Sequence, residues 1–334
     1  MIGLVDETVV NLFLGIGGIL VLATIVAVLL GVRHRGSQSA ALKNLNQRIG
    51  AWWIMAIGLA VTLLIGETAV IVLFLVLSFL ALREFLTIAP THRSDHKTLI
   101  WLVYVIPLIN YWFLWEHWYG AFAVLIPVYA FLFLPIRNAL VGDTDNFLQR
   151  AALIQWALMV CVYAISHVPA IMQLPVMMDL GSQAAEGAPL GSGGAEGALL
   201  MLFLVVVVQL SDVFQYVWGK TLGKHPVAPT VSPNKTWEGL IGGVLTATAI
   251  GAGLWWITPF TWWQAALLAL VSCLMGFFGG LVMSSIKRDR GVKDFGATIA
   301  GHGGIMDRLD SLSFAAPVLS TGHDDAAPHV GIIS

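Results

Sequence analysis

Charged residues are scarce in this chain. Only 11% of its 334 residues are Asp, Glu, Lys or Arg, against about 25% in a typical soluble domain. Hydrophobic residues make up 58% of the sequence, and they are gathered into long apolar runs. These features exclude an ordinary soluble domain and predict an integral membrane protein.

Cysteine and excess positive charge are also lacking. Cys161 and Cys273 both lie inside apolar runs, which excludes a disulfide framework and predicts two small buried side chains. The formal net charge of −2 provides no basic signal, so nucleic acid is not an expected partner. Residues 1–8 carry two acids and no base, which argues against a secretory signal.

The apolar runs predict an all-α polytopic membrane protein with about ten transmembrane helices, or roughly 8–10. The predicted spans are residues 9–32, 50–66, 68–88, 99–115, 119–136, 151–173, 198–219, 237–258, 262–284 and 305–320. Every Lys and Arg lies in or beside an alternate loop. Because such loops face the cytoplasm, the N-terminus is expected outside.

Composition divides the chain into four predicted regions. Residues 1–173 form an N-terminal transmembrane region of about six helices. Residues 174–197, rich in Gly and Ala, are expected to be a flexible extracytoplasmic linker. Residues 198–320 contain nearly all the polar motifs, and residues 321–334 form a polar tail. The chemistry is therefore expected at the cytoplasmic face of the C-terminal half.

Asp212 is the first candidate site residue, in the stretch QLSDVFQYVWGKTLGKH. It lies near the inner end of the seventh span, where an ionisable side chain is costly and indicates function. Pairing with a neighbouring base, or a position in wet headgroups, is the alternative.

The loop before the eighth span, APTVSPNKTWEG, contains Lys235 and Thr236. Backbone N–H groups at the start of a helix can bind a phosphate oxygen, with Lys235 as a point charge. The alternative is a plain helix cap. The loop does not have the GxxxxGK[ST] pattern of a Walker A motif.

The stretch from Ser284 to Ser311 has the densest polar chemistry. Its basic cluster is Lys287, Arg288, Arg290 and Lys293, for which contact with anionic lipid is the alternative. Asp307 and Asp310 follow at positions i and i+3 of a predicted helix. Two carboxylates on one face suit Mg²⁺, which binds one or two carboxylates together with substrate phosphates. The stretch therefore predicts a metal–polyphosphate site at the inner membrane surface.

This stretch resembles the signature of the phosphatidate cytidylyltransferase family, also called CDP-diacylglycerol synthases. The signature reads Ser, any residue, apolar, Lys-Arg, four residues, Lys-Asp, a short spacer, His-Gly-Gly and Asp-Arg-apolar-Asp. The matching residues are Ser284, Ile286, Lys287, Arg288, Lys293, Asp294, Gly296, Ile299, Gly301, His302, Gly303, Gly304, Asp307, Arg308, Leu309 and Asp310. The stretches VSPNKTWEG and WGKTLGKH also match, and SFLALREF at residues 78–85 matches more loosely.

The resemblance implies transfer of CMP from CTP to phosphatidate, giving CDP-diacylglycerol and pyrophosphate in phospholipid biosynthesis. It implies Mg²⁺, alone or with a second cation, and a site on the cytoplasmic side of the inner (plasma) membrane. CTP, phosphatidate and the bilayer are the expected partners, and a homodimer fits the family.

The same resemblance implies roles for individual residues. The expected catalytic residues are Lys293, Asp294, Asp307 and Asp310. The expected metal ligands are Asp307 and Asp310, with Asp212 as a further candidate. The expected substrate-binding residues are Ser232, Lys235, Thr236, Lys287, Arg288, His302, Gly303, Gly304 and Arg308.

The sequence departs from the family pattern at several positions. Gly280 stands where the family commonly has a metal-binding Asp, Thr230 stands in place of a lysine, and Ala300 in place of a proline. The stretch SDVFQYVWGK is similar to a bacterial paralogue branch. Two hypotheses follow: an active enzyme, or a catalytically impaired paralogue that binds CTP or anionic lipid. A transporter would need broken or charged helices at mid-membrane in both halves, and the sequence of the N-terminal half predicts none. The full signature argues against a lipid-alcohol kinase.

Overall fold

The structure is a computed structural model that describes residues 7–33, 40–90, 92–174, 194–296, 298 and 303–326. It is mostly helical, as the apolar runs predict. The long helices in this part of the chain are α1 (Glu7–Arg33), α2 (Ala40–Ile65), α3 (Glu67–Ile88), α4 (Arg93–Trp115), α5 (Tyr119–Val141), α6 (Phe147–Gln173), α7 (Gly194–Leu222), α8 (Trp237–Gly253), α9 (Trp262–Asp289) and α10 (Met306–Ala326). Each coincides with one predicted span.

Seven of these helices are long and apolar enough to cross a membrane: α1, α3, α4, α5, α6, α7 and α9. The apolar part of α2, Ile49–Ile65, is shorter, and α8 has 17 residues. Lipid offers no hydrogen-bond partners to backbone N–H and C=O groups. Apolar segments that cross a membrane therefore form helices, which satisfy these groups internally. The protein is therefore a multi-pass membrane protein, while the total of about ten spans stays a prediction.

Two region boundaries differ from the prediction. Helix α7 begins at Gly194, so residues 194–197 of the predicted linker are helical. Glu196 lies in the first turn, where its negative charge is favourable against the helix dipole. Helix α10 runs to Ala326, into the predicted polar tail. Most of the linker, residues 175–193, lies outside the described residues.

Three helices of the N-terminal half contain wider π-helical turns. These segments are Trp101–Val105 in α4, Leu125–Ala130 in α5 and Met159–Ala164 in α6. Pro107 follows the first segment, and Pro127 lies within the second. A proline removes one backbone donor and crowds the preceding turn, so an altered hydrogen-bond register near it is expected.

A polar lock joins one end of helices α4, α5 and α6. The guanidinium of Arg150 is buried and pairs with Asp95 at 3.2 Å and Asp143 at 3.0 Å. The Ser94 hydroxyl donates to Asp143. The hydrogen bond from Ser94 is the main reason that the pKa of Asp143 lies well below its usual range. Arg150 and His92 make smaller contributions in the same direction.

A two-stranded hairpin interrupts the helical pattern between α7 and α8. Strand β1 (Pro226–Ala228) pairs antiparallel with strand β2 (Ser232–Thr236), with Ala228 opposite Ser232. The hairpin ends directly at the first residue of α8, so it brings Lys235 beside that helix.

The two halves of the protein meet around α10. This helix packs against α9 and α7 of its own half, and also against α6 and α3 of the N-terminal half. The loop that joins α9 to α10 contains the signature residues. The signature therefore lies at the seam between the halves.

Candidate active site at the seam between the halves

Three elements converge on a polar centre formed by Asp212, Lys235 and Asp310. Asp212 comes from α7, Lys235 from β2 and Asp310 from the second turn of α10. All three residues are partly buried, and each lies close enough to the other two for direct electrostatic interaction. We call this group the open centre; Lys235 is the base that acts most strongly on its two carboxylates, and Arg308 acts on both more weakly.

Neighbouring groups contact the open centre, among them the side chain of Ser311, which forms a hydrogen bond with Asp212. One oxygen of Asp310, Oδ1, accepts a hydrogen bond from the backbone N–H of Ser311 at 2.8 Å. The Lys235 ammonium lies 3.3 Å from the carbonyl oxygen of Phe277 and 4.7 Å from the centre of its ring. Burial lowers the pKa of Lys235, while the nearby carboxylates act in the opposite direction. Such a lysine gains from a further anionic partner.

Gly280, the main departure from the family pattern, lines this same centre. A Cβ atom added at Gly280 would lie 2.8 Å from Nζ of Lys235 and 3.6 Å from Oδ2 of Asp310. The position where the family commonly has an acid thus faces Asp310 and Lys235. Here the Lys235 ammonium lies next to that space.

Asp307 has different surroundings, although it is only three residues from Asp310. Its Oδ1 accepts from the ammonium of Lys287 at 2.7 Å. Its Oδ2 accepts from the backbone N–H groups of Phe295 and Gly304, both at 2.9 Å. The side chain is almost fully buried. We call this group the closed centre, because both carboxylate oxygens already bind groups of the protein.

The residues predicted to bind Mg²⁺ have different surroundings. In the part of the chain that the structure describes, no three His, Cys, Asp or Glu side chains are grouped to hold a metal ion. Mg²⁺ needs only one or two carboxylates when substrate phosphates complete its shell. Asp212 and Asp310 provide such a pair and fit the ion. The predicted metal role of Asp307 stays a prediction, with its oxygens engaged as described.

The hairpin residues have mainly structural contacts. The Thr236 hydroxyl accepts from the backbone N–H of Gly239 at 3.1 Å, so it caps α8. This confirms the plain cap as one role of Thr236. Arg288 donates to the carbonyl oxygens of Val231 at 3.2 Å and Val292 at 3.1 Å. Arg288 thereby ties the hairpin to the end of α9, and Ser232 begins β2.

Other signature residues differ in their surroundings, and Arg308 interacts electrostatically with Asp212 and Asp310 of the open centre. Lys293 and Asp294 are exposed. Gly303 has a φ of 82°, and a Cβ atom there would lie 3.3 Å from Cβ and Cγ of Asp294; both facts favour glycine. The Nε of Arg308 is buried and has no hydrogen-bond partner among the described residues. His302 lies outside the described residues.

Sequence reasoning missed Glu84, which belongs to α3 of the N-terminal half. Its Oε2 accepts from the backbone N–H of Met306 at 2.9 Å, and its Oε1 accepts from the hydroxyl of Thr298. A usable signal existed, because Glu84 is an ionisable residue within an apolar span and falls in the loosely matching stretch SFLALREF.

The fold and the two centres define a class of protein: a helical multi-pass membrane protein with acidic and basic side chains gathered where its halves meet. Comparison with known sequences makes this more specific. The sequence profile described as "Cytidylyltransferase family" matches residues 46–322. The chain belongs to the cytidylyltransferase family.

Individual relatives support the same assignment. The chain is 39% identical over 274 residues to the protein named "Uncharacterized protein YnbB" of Escherichia coli K12, which covers 81% of this chain and 84% of that protein. It is 40% identical over 128 residues to "Phosphatidate cytidylyltransferase" of Staphylococcus aureus COL. The Staphylococcus saprophyticus protein of the same name is 38% identical over 128 residues. These two matches cover 38% of this chain and 49% of each relative, so the chain spans about half of their length.

Proposed function

We propose that the protein transfers CMP from CTP to phosphatidate, giving CDP-diacylglycerol and pyrophosphate. The observation that carries the proposal is the open centre. Asp212, Lys235 and Asp310 come from three separate elements, all within the region matched by the family, and they interact electrostatically with one another. Two carboxylates with a lysine suit a metal–triphosphate substrate. The staphylococcal relatives bear the name of this activity.

The proposed reaction is a direct displacement at the α-phosphorus of CTP. A phosphate oxygen of phosphatidate forms the new P–O bond, and the bond from the α-phosphorus to the bridging oxygen of the β-phosphate breaks. The electron pair leaves with pyrophosphate. No covalent intermediate with the protein is needed, so the residues act by positioning the reactants and stabilising charge.

The chain's own residues divide these tasks by location. Lys235 neutralises a phosphate at the open centre, where burial strengthens the interaction. Exposed Lys293, with Arg288 at the end of α9, attracts the triphosphate from solution. When bound, Mg²⁺ would offset the negative charge of the phosphates and the leaving pyrophosphate. Asp310 and Asp212 would hold it, with Asp307 as the further predicted ligand.

A catalytically impaired paralogue that binds CTP or anionic lipid is the second candidate. Gly280 favours it, because a Cβ atom at this position would lie beside Lys235 and Asp310, where the family commonly has an acid. Binding of a triphosphate needs the basic side chains, whereas transfer also depends on the carboxylates.

A transfer assay in detergent micelles separates the two candidates. Purified protein would be mixed with labelled CTP, phosphatidate and Mg²⁺, beside an Asp310→Asn control. CDP-diacylglycerol formed by the wild type and not by the control would support the synthase. Absence of product with several phospholipids, while CTP still binds, would favour the impaired paralogue.

We also propose that the site faces the cytoplasm of a plasma (inner) membrane and that the N-terminus lies outside. The clustering of bases near the open and closed centres supports this orientation. A Lys293→Cys variant tests it, because the two natural cysteines are buried. Labelling by an impermeant thiol reagent in intact cells would contradict the orientation. A homodimer is proposed on the family resemblance alone.

A further inference from the structure

Helix α3 of the N-terminal half reaches into the signature loop of the C-terminal half through Glu84. The residue is 7% exposed, so its carboxylate needs partners. It finds them far along the chain, in the Thr298 hydroxyl and the Met306 backbone N–H. Residues 84 and 306 are 222 positions apart.

The Met306 contact satisfies a donor at the start of α10. The first N–H groups of a helix have no partner within the helix, and the helix dipole favours negative charge there. Glu84 thus acts as a cap supplied by another helix. Asp310 follows one turn later on α10, so the cap fixes the helix that holds the open centre.

The signature loop has room for this carboxylate because two of its residues are glycines. A Cβ atom at Gly296 would lie 2.7 Å from Cδ and Oε1 of Glu84 and 3.0 Å from its Cγ. A Cβ atom at Gly304 would collide with the same carboxylate. Next to Glu84, the ring of Phe85 stacks on Phe295 with centroids 5.8 Å apart. The contact between α3 and the loop is therefore close on several sides.

We propose that Glu84 is a positioning residue for the reaction, through which the N-terminal half holds the signature loop and the start of α10 in place. The expected effect of Glu84 on the rate of transfer rests on the proposed function. Its effect on the position of the loop rests on the contacts alone. Asp307 binds the loop at Phe295 and Gly304 from within the C-terminal half. Glu84 binds it from the other side of the seam. The active geometry then depends on both halves.

The first test compares Glu84→Ala and Glu84→Gln with the control Glu67→Gln. Glu67 is at the opposite end of α3 and binds Gln173 there, away from the loop. We expect Glu84→Ala to lower kcat for CMP transfer about 100-fold, since small misplacements cost this much, with a smaller change in KM for CTP. Glu84→Gln retains one acceptor oxygen and should lower kcat less than Glu84→Ala does. Glu67→Gln should behave as the wild type.

A readout that does not depend on activity is tryptic cleavage after exposed Lys293, measured relative to cleavage after exposed Lys224. Glu84→Ala should raise the ratio several-fold, in proportion to the contacts that hold the loop. If wild type showed no transfer, the proposed function would fail while this ratio still tested Glu84. An unchanged ratio, equal to that of Glu67→Gln, would overturn the proposal even if the variants were active.

A double-mutant cycle provides the second test. Gly296→Ala alone should raise tryptic cleavage after Lys293, because its methyl group collides with Glu84. In the Glu84→Ala background the same substitution should have little further effect, because the colliding atoms are gone. Such non-additivity identifies residues in direct contact. Additive effects would show that Glu84 and the loop act independently, and the proposal would be wrong.

Discussion

The open and closed centres use the same residue type on the same helix, yet they differ in what their carboxylates bind. Asp307 is saturated by Lys287 and two backbone donors. Asp310 receives the N–H of Ser311 and faces Asp212 and Lys235. Residues at i and i+3 are about 60° apart around a helix and about 4.5 Å apart along it, which is enough to face different neighbours.

The difference shows that one sequence signature can include carboxylates that stabilise the fold and carboxylates that are available for binding a cation. A buried carboxylate with all its partners in the protein stabilises a loop. A carboxylate beside a second carboxylate has a use for an additional cation. Of the two, the open centre is the one that a metal–nucleotide would complete.

The largest expected effect is on transfer at the open centre. Asp310→Asn should lower kcat about 100-fold or more, because it removes a charge that stabilises the reacting phosphates. Its thermal unfolding in detergent should stay close to that of the wild type, since Asn retains the acceptor for Ser311. The measurement is CMP transfer beside a melting curve. Near-normal turnover would refute the proposed metal role.

At the closed centre the expected effect is on stability. Asp307→Asn should lower the free energy of unfolding by about 3–5 kcal/mol, because Lys287 is left buried without its ion pair. The double variant Lys287→Met, Asp307→Asn should recover part of the loss. Melting temperatures in detergent check both. A wild-type melting temperature for Asp307→Asn would mean that the closed centre does not stabilise the fold.

Gly280→Asp would make the open centre more acidic. We expect it to raise Mg²⁺ affinity about tenfold, a typical contribution of one group at a metal site, because the new side chain enters between Lys235 and Asp310. Gly280→Asn is the matched control of similar size without charge. The Mg²⁺ dependence of CTP binding measures the effect. No change relative to the control would mean that another group already fills the coordination position.

The smallest expected effect concerns the hairpin that presents Lys235. Thr236→Ala removes the cap of α8 and should cost about 1 kcal/mol of stability. Thr236→Ser retains the hydroxyl and should cost less. Thermal unfolding of the two variants compares them. If Thr236→Ala lowered CTP binding much more than stability, the hydroxyl would also contact the substrate, as the predicted substrate-binding role of Thr236 requires.

Much of the fold could be predicted, because an apolar run in lipid satisfies its backbone hydrogen bonds by forming a helix. All ten predicted spans coincide with helices, whose ends differ by up to ten residues, the most at Ala40. The hairpin at Pro226–Thr236 was not predicted as strands, because its prolines and polar residues indicate only a break. Its pairing depends on how α7 and α8 meet.

The sequence by itself determined that this is a helical membrane protein and which stretches contain its chemistry, because hydrophobic periodicity and a long spaced signature are local properties of the chain. Only the tertiary structure decided that Asp307 is bound to Lys287, that Asp310 interacts electrostatically with Asp212 and that Glu84 caps α10. These pairings join residues from different elements. Helical spacing defines the face on which a side chain lies, and packing decides which partner that face meets.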